Sequence, residues 1–97
     1  MERDTAEASE LGRLRGGIER IDRELIRLMA ERVELARRTG EVKRALGLPT
    51  LDPGREAEVV RRAGALAREA GLGDDEVRAI FWHLIGLSRR AQSGGAS

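Results

Sequence analysis

The 97-residue chain has no cysteine, which excludes a disulfide framework, a thiolate metal site and a thiol nucleophile. Its one histidine, His83, cannot form a histidine-rich metal cluster. Aromatic residues are reduced to Phe81 and Trp82, leaving no platform on which nucleic-acid bases could stack. Charge of one sign is also missing. Eighteen Lys and Arg balance 17 Asp and Glu to a formal net charge of +1, unlike the one-sided basic field of a dedicated nucleic-acid binder. No run of eighteen apolar residues is present, and the acidic start is no signal peptide, so the expectation is a cytoplasmic protein without a membrane or nucleic-acid partner. Proline occurs only at Pro49 and Pro53, both in one break. A chain of this length supports one domain with a modest core, and such chains often gain stability by oligomerising.

What is present is helical periodicity. Residues 1–10 and 93–97 show no period and read as loose tails, leaving 11–92 as the folded domain. A first helix is expected from about Leu11 to Leu46. Its register (Leu14, Ile18, Ile21, Leu25, Leu28, Arg32, Leu35, Thr39, Val42, Leu46) alternates spacings of four and three, as a heptad seam does. Thirty-odd residues at 1.5 Å each give a rod of roughly 50 Å, too long for its own small domain to cover, and a second copy of the chain is the simplest cover. Asp52 caps a second helix with Pro53 in its first turn, running to about Ala70 with Ala57, Val60, Ala63 and Ala67 on one side and Gly71 after its end. A third helix runs from about Asp74 to Gln92, facing inward with Val77, Ile80, Phe81, Leu84 and Ile85 and then with Ser88 and Gln92. Phe81 reads as core, Trp82 as partly buried and His83 as exposed. No strand is expected, so the fold class is all-α with one long and two shorter helices.

The informative residues are polar ones on apolar faces. Arg32 in the seam is a buried ion pair, an exposed break in the seam, or a cation aimed into a cavity that accepts an anion. Lys43 lies eleven positions later, within about 20° of the same direction and roughly 16 Å further along, so the two side chains could bracket a small metabolite. Alone, Lys43 would read as a solvated lysine. Ser88 and Gln92 extend the apolar stripe of the third helix at i,i+4, either as a fraying polar end or as donors into a shared space. Glu56 suits the dipole at the start of the second helix, whereas Arg55 does not. Arg15 precedes Arg32 by about 25 Å of helix and points roughly 100° away from it, so it is a surface residue or it serves a site on a second subunit. Gly16 and Gly17 weaken the first helix locally, either fraying its first turns or admitting the close approach of another helix, and Gly40, Gly64 and Gly86 are open between tight packing and mere tolerance.

These residues carry a resemblance. Over 11–92 the ordered set Leu14-Arg15, Ile18, Ile21-Asp22, Leu25, Leu28, Glu31-Arg32, Leu35-Ala36, Gly40 and Lys43, then Asp52 with Arg55-Glu56, then Phe81, Ile85, Ser88 and Gln92, resembles the all-helical chorismate mutases of the small intertwined-dimer type. No short motif in it is specific; its order and intervals are. The resemblance implies an intertwined helical homodimer that rearranges chorismate to prephenate in phenylalanine and tyrosine biosynthesis, with no cofactor and no metal. Residue by residue, it implies that Arg15 reaches across from the partner subunit to one substrate carboxylate and that Arg32 holds the other. Lys43 and Gln92 would donate to the ether oxygen from opposite sides, Lys43 also helping to hold a carboxylate. Asp52 and Glu56 would meet the ring hydroxyl, Asp52 through side chain or backbone. Arg55 and Ser88 would line the carboxylate end. The departures are peripheral: the glycine pair after Arg15 and Pro53-Gly54 before Arg55.

The chemistry suits such residues. A Claisen rearrangement breaks a C–O bond and forms a C–C bond within one molecule, moving no proton and needing no covalent intermediate. It needs a flexible dianion held in its reactive form, and donors where charge develops on the ether oxygen. Isochorismate pyruvate-lyases share the arginines and lysine, but Asp52, Arg55 and Glu56 look more like the mutase. Mutases of 4-amino-4-deoxychorismate differ at the ring substituent, which the sequence does not decide. A non-catalytic helical dimerisation module is the alternative from another class; it would be expected to have lost one of Arg15, Arg32, Lys43 or Gln92.

Overall fold

The computed structural model describes residues 2–93. It consists of three helices, α1 (Glu2–Ala45), α2 (Pro53–Glu69) and α3 (Asp74–Gln92). α2 and α3 fall where the sequence pattern puts them. α1 begins at Glu2, whereas a loose tail over 1–10 is expected from the pattern. The segment lacks apolar period but is rich in Ala and Glu, strong helix formers whose acids suit a helix N-terminus, so propensity extends the helix where periodicity gives no signal. Of the expected C-terminal tail, Ser93 is the C-cap of α3, and 94–97 lie outside the described residues. Among the described residues no helix is long and apolar enough to cross a membrane.

The chain divides into two compact units, Met1–Glu31 and Arg32–Ser97. In the first, the helix is braced by ion pairs one turn apart, among them Arg13 with Glu10 and Arg27 with Glu24. Its seam residues Leu14, Ile18, Ile21, Leu25 and Leu28 are 46–59% exposed. Helix continues unbroken through Gly16 and Gly17, and a Cβ added at either would meet nothing within 4 Å.

In the second unit α2 packs on α3 through Val60, Ala63, Ala67 and Ile85, all buried. The small side chains at 63 and 67 let the helices approach closely, as their one-sided spacing anticipates. Val77, Phe81 and Leu84 are half-buried around this contact. Ile80, expected to face inward, is 57% exposed, and Trp82, expected partly buried, is 47% exposed. At 100° per residue the two lie on opposite flanks of the stripe centred on Phe81, about 100° from its middle. His83 is exposed, as expected.

Two glycine-terminated helix ends shape the connections. After α1, Leu48 N–H donates to Lys43 O (2.8 Å) and Gly47 N–H to Arg44 O (3.1 Å), with Gly47 at φ 70°. After α2 the same pair of bonds runs from Leu72 to Ala67 and from Gly71 to Arg68, with Gly71 at φ 77°. Both are Schellman ends, which satisfy the last carbonyls of a helix by a left-handed residue. At the start of α2, Asp52 Oδ1 accepts from Arg55 N–H at 3.1 Å, and Pro53 occupies the position where its missing N–H costs no helical bond.

Candidate active site

Within the Arg32–Ser97 unit lies a cavity of about 560 Å³. Its three walls are three helical stripes. α1 contributes Arg32, Leu35, Ala36, Thr39 and Lys43. The start of α2 contributes Asp52, Arg55, Glu56, Val59 and Arg62. The end of α3 contributes Ile85, Ser88, Arg89 and Gln92. Each set repeats at three and four residues, the spacing that puts side chains on one face. Leu35, Ala36, Val59 and Ile85 supply apolar surface, and cations and donors converge over it.

Of the eight residues singled out in the sequence, Arg32, Lys43, Asp52, Arg55, Glu56, Ser88 and Gln92 all line this cavity. The eighth, Arg15, belongs to the Met1–Glu31 unit, is exposed, and is not among the lining residues. Arg62, Arg89 and Thr39 line the cavity and escaped sequence reading. Arg62 follows Arg55 by two helical turns on the same face, a spacing that could have found it. Arg89 follows Ser88 directly and so reads as an ordinary exposed arginine. Thr39 sat in the apolar register, but its hydroxyl donates to Leu35 O at 2.8 Å and so serves its own helix.

Lys43 is fixed at both ends of the wall. Its Nζ donates to Thr50 O and to Gln92 Oε1, each at 3.0 Å. An ammonium has three N–H groups, so one remains for a ligand. With its oxygen engaged by Lys43, Gln92 presents its amide N–H groups as the free side. The Gln92 backbone is held as well: Arg44 Nη1 donates to its carbonyl at 2.6 Å, and Gly40 sits directly beneath it. A Cβ at Gly40 would lie 2.5 Å from Gln92 O and 2.8 Å from its Cα, so only glycine admits this approach.

Arg32 Nη1 donates to Ser88 Oγ, and the buried Ser88 hydroxyl donates to Leu84 O at 3.0 Å. The serine proton is thus committed to the helix, and Ser88 orients the arginine rather than donating into the cavity. Burial, and then the nearby Arg55 and Arg62 guanidiniums, pull the Arg32 pKa below its usual value. Three guanidiniums facing one space repel each other, and a dianion placed among them would relieve that repulsion.

The acids are both tied. Asp52 Oδ1 caps α2. Arg89 forks onto Glu56, with Nε to Oε2 at 2.7 Å and Nη2 to Oε1, and Glu56 keeps only 14% of its side chain exposed. This fork holds the Glu56 carboxyl below the usual carboxylate range, Lys43 adding to it, while burial and Asp52 oppose it. The arrangement can bind a small dianion through guanidiniums and direct an ammonium and an amide at one further oxygen.

Comparison with known proteins agrees with this chemistry. The chain is 34% identical over 83 residues to the chorismate mutase of Methanocaldococcus jannaschii, covering 86% of this chain and 84% of that protein. It is 45% identical over 60 residues, 62% of this chain, to the bifunctional chorismate mutase/prephenate dehydratase of Aquifex aeolicus. It is 39% identical over 68 residues, 70% of this chain, to the T-protein of Haemophilus influenzae. It spans only 17% and 18% of the length of the last two. Residues 14–93 match the family model for type II chorismate mutase. That span runs from the residue before Arg15 to the residue after Gln92 and takes in every residue lining the cavity, and the chain belongs to the type II chorismate mutase family.

Proposed function

We propose that this chain rearranges chorismate to prephenate in the cavity between α1, α2 and α3, as one half of a cytoplasmic homodimer whose functional unit is residues 11–92. The observation that carries the reading is the direct pairing of Lys43 with Gln92 in the cavity lining, which also holds the guanidiniums of Arg32 and Arg55. Arg32, oriented by Ser88, takes one carboxylate of the dianion, and Arg55 supports that end. Lys43 and the Gln92 amide donate to the ether oxygen, where negative charge grows as the C–O bond breaks. Asp52 and Glu56 receive the ring hydroxyl. Arg15 of a second copy supplies the other carboxylate contact. The exposed apolar stripe from Leu14 to Leu28 supports a second copy, since a helix with an apolar heptad seam gains by burying it.

The chemistry asked of the protein is positioning plus electrostatics. Arginine forks match carboxylates in geometry and hold the substrate compact. Fixed donors at the ether oxygen need no reorganisation during reaction. No proton transfer is required, which fits a site whose acids are tied to a cap and to an arginine. The test is direct. Pure protein is incubated with chorismate and loss of its ultraviolet absorbance is followed, with isochorismate and 4-amino-4-deoxychorismate in parallel. Loss with chorismate is expected. No loss with any of the three would leave a non-catalytic dimerisation module as the better reading.

A further inference from the structure

Two carboxylates line the cavity, and they differ in freedom. Asp52 spends Oδ1 on the α2 cap. Glu56 has both oxygens engaged by one guanidinium that comes from another helix, 33 positions away in sequence. Arg89 is itself half exposed, so nothing in the packing of α3 demands that it turn inward. We propose that Arg89 is a positioning residue that sets substrate specificity: by forking onto Glu56 it fixes and neutralises that carboxylate, so the site takes a neutral ring hydroxyl in preference to a ring ammonium. The proposal rests on the reading above that Glu56 receives the ring substituent.

A carboxylate offers about four acceptor positions, and Arg89 takes two of them, leaving one on each oxygen for a hydroxyl proton. A hydroxyl needs only an acceptor. A protonated amine needs a counter-charge, and the Glu56 charge is already matched. The cavity lining sets five cations against two carboxylates. The charged groups facing Glu56 are Arg89 from α3, Lys43 from α1 and Asp52 from its own helix start, with Arg55 and the other cavity arginines beyond. An ammonium brought to Glu56 would therefore meet excess positive charge at short range. Without Arg89, the same carboxylate would be a free counter-ion for that ammonium.

The experiment compares Arg89→Gln, Arg89→Lys and the parent enzyme on chorismate and on 4-amino-4-deoxychorismate. Removing one nearby charge in a partly shielded site is expected to raise the kcat/KM ratio of amino substrate to chorismate at least about tenfold in Arg89→Gln. Arg89→Lys keeps the charge and should hold the ratio close to the parent's. The acid limb of the kcat/KM profile on chorismate should move to higher pH in Arg89→Gln, because Glu56 loses the partner that keeps it ionised. In the parent protein, carbon NMR should find the Glu56 carboxyl titrating below the ordinary glutamate range, a measurement that needs no variant. An unchanged ratio and acid limb in Arg89→Gln, or an ordinary Glu56 titration, overturns the proposal while leaving the mutase reading intact. A parent protein inactive on both substrates removes the mutase reading, and the proposal with it.

Discussion

Lys43 is the residue on which the most chemistry converges. Its ammonium is held by Thr50 O and Gln92 Oε1 without being exhausted by them. By comparison with loss of one preorganised oxyanion donor, Lys43→Ala should cost roughly 3 kcal/mol of transition-state stabilisation, more than about a hundredfold in kcat/KM. The urea midpoint of the variant should change little, and near-normal turnover by a folded variant would sink the assigned role. Gly40 predicts a joint loss of stability and activity. Its missing Cβ is the space occupied by the Gln92 backbone. Gly40→Ala should lose about 1–3 kcal/mol of stability as an overpacked contact, and activity should fall with it because Gln92 is displaced. Denaturant unfolding beside kcat/KM measures both. Part of this scale is legible in the sequence: the alignment of Arg32 in the seam with Lys43 eleven positions on offers a bracketed cavity as one of its readings, and both residues line one cavity. Gly40 is not legible, because its meaning depends on a residue 52 positions away on another helix. Nor is Arg89, whose partner Glu56 has its own local excuse at a helix start.

At the scale of the element, each wall of the cavity is one stripe of a helix, so the helix ends decide where the stripes meet. The ends of α2 and the start of α3 are written in local chemistry, Asp52-Pro53, then Gly71, then the acids at 74–76, and sequence places them well for that reason. The start of α1 carries no such signal, only good helix formers without a face, and there the sequence pattern stops nine residues short of the helix. Asp52 joins element and site, since it caps α2 and lines the cavity. The two roles separate by substitution. Asp52→Ala should cost about 1 kcal/mol of stability through loss of the cap, whereas Asp52→Asn, an equally good cap, should cost little. If the Asp52 charge also serves the substrate, Asp52→Asn will lose kcat/KM at unchanged thermal stability. A normal kcat/KM in Asp52→Asn would assign the residue to capping alone.

At the scale of the whole molecule, Arg15 lies in the Met1–Glu31 unit, whereas every residue lining the cavity lies in Arg32–Ser97. The seam from Leu14 to Leu28 is half exposed, and an apolar heptad stripe of this kind gains by burial against a second helix. A dimer would make the melting temperature rise with protein concentration, because association stabilises only the folded form. Complementation tests the assignment of Arg15 itself. Arg15→Ala and Arg32→Ala should each form dimers whose two sites are both damaged. If Arg15 acts across the interface, a mixed dimer gathers both lesions into one site and leaves the other with an intact Arg15 and an intact Arg32. Random re-association from denaturant makes about half the dimers mixed, each with one good site of two, so about a quarter of parental activity should return. If Arg15 instead acts within its own chain, every site in the mixture keeps one lesion and no activity returns. A mixture no better than the mean of its two components would therefore remove the crossed arrangement, even with the dimer itself demonstrated.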